Sequence, residues 1–280
     1  MKNIRIKARD GADIPAVYCE PEECYAKGVV IVCHGFGEHL GMYMETAGRL
    51  GQAGYASIIF NQRGHGAPPA GKKNRFGVIP DYQSFLDDVA SVTEEARRIG
   101  PNLPIALYGH SMGGNIVANA LMRNSSGGYS CAVLEAPWLG LYKRYSTLII
   151  GIGRLAGRLS PNLVITNKLA PASLTGDPDR IKSYTNDQMY HGRISFRMFT
   201  GIIDSCDYAL ENAASIPVPV FIAYAAEDRV LNNEKTLSFA AAAGDMVTAK
   251  EYGSRHAIHN DVKRDEYFRD VAAFLDSHML

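Results

Sequence analysis

Apolar residues along this chain fall into short, nearly unbroken runs, separated by stretches in which they recur every three or four positions. The runs at 4–8, 14–19, 28–33, 55–60, 105–108, 131–135, 218–224 and 246–251 predict eight β-strands. Several carry almost no polar residue, the pattern of strands covered on both faces of a sheet. Between them Phe85, Leu86, Val89, Val92, Ala96 and Ile99 repeat at helical spacing, and Pro101 follows the segment's end. Segments 113–123, 233–243 and 261–277 also read as helices. Strands alternating with helices predict an α/β protein, with a mostly parallel central sheet of about eight strands flanked by helices.

The alternation stops between Pro137 and about Ser205. That stretch shows no clean strand, only short helical segments broken by Gly, Pro and Ser, and it is too long for a plain connection. It reads as a helical cap, 137–205, inserted into a core made of 1–136 and 206–280. The working end of an α/β fold lies beyond the carboxyl ends of its strands, where this insertion emerges. Ordinary surface helices packed on the core are the plainer alternative.

Composition narrows the field. Lys+Arg and Asp+Glu both number 29 in 280 residues, so the formal net charge is zero. Nucleic acid, which needs a basic surplus or patch, is not an expected partner. Residues 1–10 alternate charged and apolar side chains and do not read as a secretory signal. The longest apolar stretch, 145–153, is far short of the roughly 20 residues that span a bilayer, and Arg154 and Arg158 break its continuation. The five cysteines (Cys19, Cys24, Cys33, Cys131, Cys206) have no CxxC spacing, and three sit in strand-like runs. They fit buried thiols in a reducing compartment, so a soluble cytoplasmic protein is expected.

The candidate chemistry begins at Gly109-His110-Ser111-Met112-Gly113, set between an apolar strand and a helix-like run. A serine at a sharp strand-to-helix turn projects its Oγ from the sheet, and the glycines two residues either side remove side chains that would collide there. The helix then starts at the nucleophile, with its first N–H groups aimed at the reacting centre, so the Met112 amide is one candidate oxyanion donor. The second strand-to-loop junction, Cys33-His34-Gly35-Phe36-Gly37-Glu38-His39, offers the Phe36 amide as the other. His34, Glu38 and His39 also invite a metal reading, but their spacing is not that of a helical metal site, and His34 as a loop-fixing hydrogen bonder is simpler. No metal and no cofactor are expected.

A nucleophilic serine needs a base, and the base an orienting acid. Asp228, just past an apolar strand, is the candidate acid, with Glu227, Asp204 and Asp207 as rivals. His256, in the loop after the last strand, is the candidate base, and His259 its rival. Arg63 and His65 follow another buried strand and are most simply loop-fixing groups.

Taken together, His34-Gly-Phe-Gly-Glu-His39, Arg63-Gly-His-Gly66, Gly109-His-Ser-Met-Gly-Gly114, Glu135-Ala-Pro137, Ala226-Glu-Asp228 and the His256 loop resemble the monoacylglycerol lipase and lysophospholipase family of α/β hydrolases. They span nearly the whole chain in the family's order. The resemblance implies a triad of Ser111, Asp228 and His256, an oxyanion hole of the Phe36 and Met112 amides, and a helical cap over an acyl-chain tunnel. Two positions depart from the family: Asn61-Gln62 stands where Asp is usual, and Ala225 where Gly is usual. The cap matches mainly at Asp187-Gln-Met-Tyr-His-Gly-Arg193.

Some of the apolar cap positions Trp138, Leu139, Leu141, Leu148, Ile149, Ile150, Ile152 and Leu155 would line an acyl pocket, with Trp138, Leu139 and Ile149 as candidate substrate contacts; simple packing of the cap onto the core is the plainer alternative. The same positions offer transient contact with a membrane or lipid surface, flanked by Lys143, Arg144, Arg154 and Arg158. The reaction expected is hydrolysis of an acyl ester, such as a monoacylglycerol or lysophospholipid, through an acyl-enzyme. General carboxylesterase, amidase or acyltransferase activity would use the same residues, and a non-catalytic binding protein is a further alternative. Nothing in the sequence specifies an oligomeric state.

Overall fold

The computed structural model describes residues 1–21, 25–67, 76–123, 127–143 and 146–279. Cys24 and Arg144 lie outside them. Eight strands form one sheet: β1 (Lys2–Lys7), β2 (Asp13–Cys19), β3 (Val29–Cys33), β4 (Ala56–Phe60), β5 (Ile105–His110), β6 (Cys131–Glu135), β9 (Val220–Ala225) and β10 (Val247–Tyr252). Their order is β1-β2-β4-β3-β5-β6-β9-β10, parallel from β4 to β10 and antiparallel at the β1–β2 and β2–β4 pairings. This is the α/β-hydrolase architecture expected, with observed strand ends within two residues of the apolar runs.

Burial follows sequence. Every residue of β3, β4, β5 and β6 is buried, because helices cover both faces. One face carries α2 (Gln83–Ile99), α3 (Met112–Arg123) and α8 (Asn233–Ala243), packed on Ile31, Ile58, Leu107 and Leu134. The other carries α1 (Met44–Gln52) and α9 (Arg264–His278), packed on Val30, Val32, Ile59 and Val133. The chain runs from β3 to β4 on one side and returns to β5 on β3's other side. The crevice above that reversal is where α/β sheets bind ligands.

Between β6 and β9 the chain leaves the sheet. It forms α4 (Thr147–Leu159), β7 (Val164–Thr166), α5 (Pro171–Leu174), α6 (Pro178–Asn186), β8 (Arg193–Ser195) and α7 (Phe196–Asn212). β7 and β8 pair antiparallel, a short ribbon that their mixed composition did not announce. Residue 205, the expected end of the insertion, falls inside α7. That helix packs against α4 and also against α3, where the Asn119 amide donates to the Ser205 carbonyl at 3.2 Å.

Candidate active site

Ser111 lies directly after β5 with a left-handed backbone, φ 54°. A side chain there is strained by about 1 kcal/mol or more, a cost kept only where surroundings impose it. They do: the Ser111 N–H donates to the Glu135 carbonyl at 2.9 Å, and the Ser111 carbonyl accepts from Trp138 N–H at 2.9 Å and Asn115 N–H at 3.1 Å. A Cβ on Gly109 would lie 2.4 Å from the Gly113 carbonyl oxygen, and one on Gly113 would lie 2.0 Å from that of Cys33. Helix α3 can therefore sit tight against β3 and β5 only with glycine at both positions.

The His256 Nε2 is 3.0 Å from Ser111 Oγ, and its Nδ1 is 2.8 Å from Asp228 Oδ2. Asp228 follows β9, and its Oδ1 accepts from the N–H groups of Val230 (2.7 Å) and Leu231 (2.9 Å). All three side chains are buried. Burial raises the Asp228 carboxyl, but the facing His256 and the two amides outweigh it and hold its pKa below the ordinary value. Burial likewise opposes protonation of His256. The charge and hydrogen bond of Asp228, with the charges of Glu38 and Glu135, overcome it and hold the imidazole above its ordinary pKa of 6.5. With Nδ1–H committed to Asp228, Nε2 is the atom left for a proton from Ser111.

Met112 opens α3, so its N–H belongs to the first turn, whose donors have no intrahelical partner. Phe36 lies in the loop after β3, between Gly35 and Gly37. Gly37 has φ +77°, and a Cβ there would lie 2.0 Å from the His191 carbonyl oxygen. The Phe36 ring stands edge-on to Trp138 at 6.2 Å and to His65 at 6.1 Å.

Above Ser111 opens a cavity of about 450 Å³, ordinary for a small-molecule site. Phe36, Trp138, Leu141, Ile149, Ile165, Leu169, Ile194, Phe196, Phe199, Val230 and Leu231 supply apolar walls. Thr166, Asn167, Lys143 and Arg229 add polar groups. Trp138 and Ile149 thus meet the cavity, whereas Leu139 does not. The tight turn in which Leu139 N–H donates to the Pro137 carbonyl sends Leu139 into the core beneath.

The rival residues sit elsewhere. His259 Nδ1 is 2.8 Å from Glu135 Oε1. Glu227 is exposed, and Asp204 pairs with Arg154. His34 accepts from the Gln62 N–H at 3.0 Å and donates to the Gly35 carbonyl at 2.9 Å; burial takes it down to about 4, so it is neutral. Arg63 bridges Asp88 and Asp10, and His65 Nδ1 donates to the Arg63 carbonyl at 2.9 Å, so both fix the loop. Among the described residues, the ligand-type side chains that converge are Glu38, His110 and His259, rather than the His34, Glu38 and His39 of one loop. All three are hydrogen-bonded to neighbours. This cluster, with Tyr43 and Tyr184, is what sequence reasoning missed, because its members are spread over 38–259.

The serine aminopeptidase, S33 family (Hydrolase_4) matches residues 25–263, most of the chain. The protein belongs to that family. It is a serine hydrolase of the lipase and esterase type. The hydrolase is 28% identical over 256 residues to Monoacylglycerol lipase of Mycolicibacterium smegmatis, covering 90% of this chain and 89% of the relative. It is 24% identical over 254 residues to Phospholipase YtpA of Bacillus subtilis, covering 90% and 96%. The crystal structure of Paleococcus ferrophilus monoacylglycerol lipase superposes with a TM-score of 0.85 at 25% identity, covering 95% of this chain and all of that one.

Proposed function

We propose that this hydrolase cleaves long-chain monoacylglycerols, with Ser111, His256 and Asp228 as its catalytic triad. The observation that carries the reading is the hydrogen-bonded chain Ser111–His256–Asp228, whose Ser111 end lines an apolar cavity. Ser111 Oγ attacks the ester carbonyl as His256 Nε2 takes its proton, and the Phe36 and Met112 amides hold the oxyanion. His256 then protonates the departing glycerol oxygen. A water deprotonated by the same Nε2 releases the fatty acid and restores Ser111. The names of the relatives above, two of them monoacylglycerol lipases, support an acyl ester as substrate.

In this reading residues 137–205 act as a cap over a core of 1–136 and 206–280. Helix α4 turns its glycines inward: Gly153 and Gly157 are its buried residues, against α7. Leu148, Ile149, Ile152, Leu155 and Leu159 are 53–76% exposed. That outward apolar face beside the cavity suits transient contact with a lipid surface that presents the substrate. Among the described residues no helix is long and apolar enough to cross a membrane. The four described cysteines are free and buried, which suits a reducing compartment such as the cytoplasm. Lys143 and Arg229 on the cavity wall favour a second reading, a lysophospholipid whose phosphate they would meet.

The test is fatty-acid release from short and long monoacylglycerols, lysophospholipids and aryl esters, with Ser111→Ala alongside. Selective, Ser111-dependent release from long-chain monoacylglycerols is expected. A preference for lysophospholipids moves the assignment to the second reading, and a preference for short or aryl esters makes the protein a general carboxylesterase. Turnover of amides alone would remove the ester reading.

A further inference from the structure

Glu38 is a fully buried carboxylate with no part in the proton transfers above. Its Oε2 accepts from the Gly35 N–H at 2.8 Å and from the Tyr43 hydroxyl at 2.5 Å, and lies 3.2 Å from His110 Nδ1. Its Oε1 accepts from the Tyr184 hydroxyl at 3.0 Å. These partners come from four places. Gly35 precedes Phe36 in the oxyanion loop, His110 precedes Ser111, Tyr43 precedes α1, and Tyr184 belongs to α6 of the insertion.

The hydrogen positions follow from the pairing. Tyr43 gives its one proton to Glu38, so its oxygen accepts from His110 Nδ1–H at 2.9 Å. A Cβ on Gly35 would lie 2.7 Å from Glu38 Oε2 and 2.8 Å from His110 Nδ1, so the loop rests directly on this cluster. The His110 ring in turn lies 5.0 Å from the ring of His256. A buried, hydrogen-bonded carboxylate is by itself weak evidence of stabilisation, because apolar residues of similar volume often serve as well. The position of Glu38 beneath both halves of the site calls for a different account.

We propose that Glu38 is a positioning residue for ester hydrolysis, its carboxylate holding the Phe36 loop in register with Ser111 and its charge stabilising the protonated His256 formed during reaction. The proposal rests on the triad and oxyanion assignments above. The groups around His256 are Asp228 beyond β9, His110 at the end of β5, and Glu38 beyond β3. Glu135 at the end of β6 and its partner His259 complete the set. Asp228, Glu38 and Glu135 all favour the imidazolium. Removing Glu38's charge therefore lowers the pH at which His256 gives up its proton.

The experiment uses the full chain and a soluble short-chain aryl ester. For Glu38→Gln, kcat falls about 10- to 100-fold with KM changed less than about threefold, as expected when reacting groups lose register. The acid limb of its kcat/KM profile moves to lower pH. Tyr184→Phe keeps the charge and cuts only the link to α6, so kcat falls less and the limb stays where it was. A folded Glu38→Gln enzyme with wild-type kcat or an unmoved limb overturns the proposal. Should Glu38→Gln not fold, Tyr43→Phe and Tyr184→Phe decide, and wild-type kcat in both overturns it. Ser111→Ala, run in parallel, separates the two levels. Wild-type turnover in that variant sinks the triad itself, whereas an inactive Ser111→Ala beside a normal Glu38→Gln sinks only the role of Glu38.

Discussion

Helices α3 and α4 both carry glycines on an otherwise apolar sequence, yet they are built in opposite senses. In α3 the residues from Met112 to Leu121 are all buried, and its glycines press on backbone atoms of β3 and β5. In α4 only Gly153 and Gly157 are buried, while Leu148, Ile149, Ile152, Leu155 and Leu159 are exposed and Ile150 is half-buried. Burying one such side chain is worth about 2 kcal/mol, so a helix that leaves five outside forgoes much of its folding energy. The end of the molecule that holds Ser111 is thus fixed by close packing. The end above the cavity keeps apolar surface exposed. In the function proposed above, rigidity would serve the chemistry and the exposed apolar surface a lipid substrate.

The largest effect expected tests the fixed half. Ser111→Ala should lower kcat on the preferred ester by about 10⁴-fold or more with the fold intact, read by ester turnover and circular dichroism. Residual activity near wild type would mean that another group attacks. Gly113→Ala should destabilise by about 3 kcal/mol, because its methyl meets the Cys33 carbonyl; urea unfolding reads this. A loss under about 1 kcal/mol would show that α3 can slide.

Protonation of the base gives the next effect. As the proposed base, His256 has to be neutral to accept the Ser111 proton, and its surroundings hold its pKa above the ordinary 6.5. So kcat/KM should fall about tenfold per pH unit on the acid side, with its half-point above pH 6.5. A half-point below 6.5 would mean that burial outweighs Asp228, Glu38 and Glu135.

Smaller effects probe α4. Leu155→Ser with Leu159→Ser should reduce turnover of long-chain ester in vesicles about fivefold, leave a short soluble ester unaffected, and change stability by less than about 0.5 kcal/mol. Equal loss on both substrates would argue against a lipid-facing helix. Finally, Gly151 is exposed with nothing within 4 Å of an added Cβ. Gly151→Ala should raise stability by about 0.5–1 kcal/mol in thermal unfolding, the opposite sign from Gly113→Ala.

Much of this was legible in the chain, for local reasons. A strand buried on both faces has to be apolar throughout, so the eight runs marked the sheet. The turn at Ser111 admits only glycine two residues either side, so the motif marked the nucleophile candidate. Helix α1 was not marked, since its apolar positions are few and its glycines many. Leu139 looked like a pocket residue because composition does not reveal which way a turn sends a side chain. The Glu38 cluster was illegible because Tyr43, His110, Glu135, Tyr184 and His259 are ordinary residues until the fold gathers them.

The sequence by itself determined the eight strands of the sheet and four of the helices between and after them, the strained serine turn and the set of residue types able to form a nucleophile, base and acid. These are near-neighbour properties, written in side-chain period and in steric demands over a few residues. Tertiary structure decided which acid faced which base, that His256 rather than His259 stands beside Ser111, and that one buried carboxylate joins four segments. Those outcomes depend on distances between parts of the chain far apart in sequence, which the packing of the sheet and its helices alone fixes.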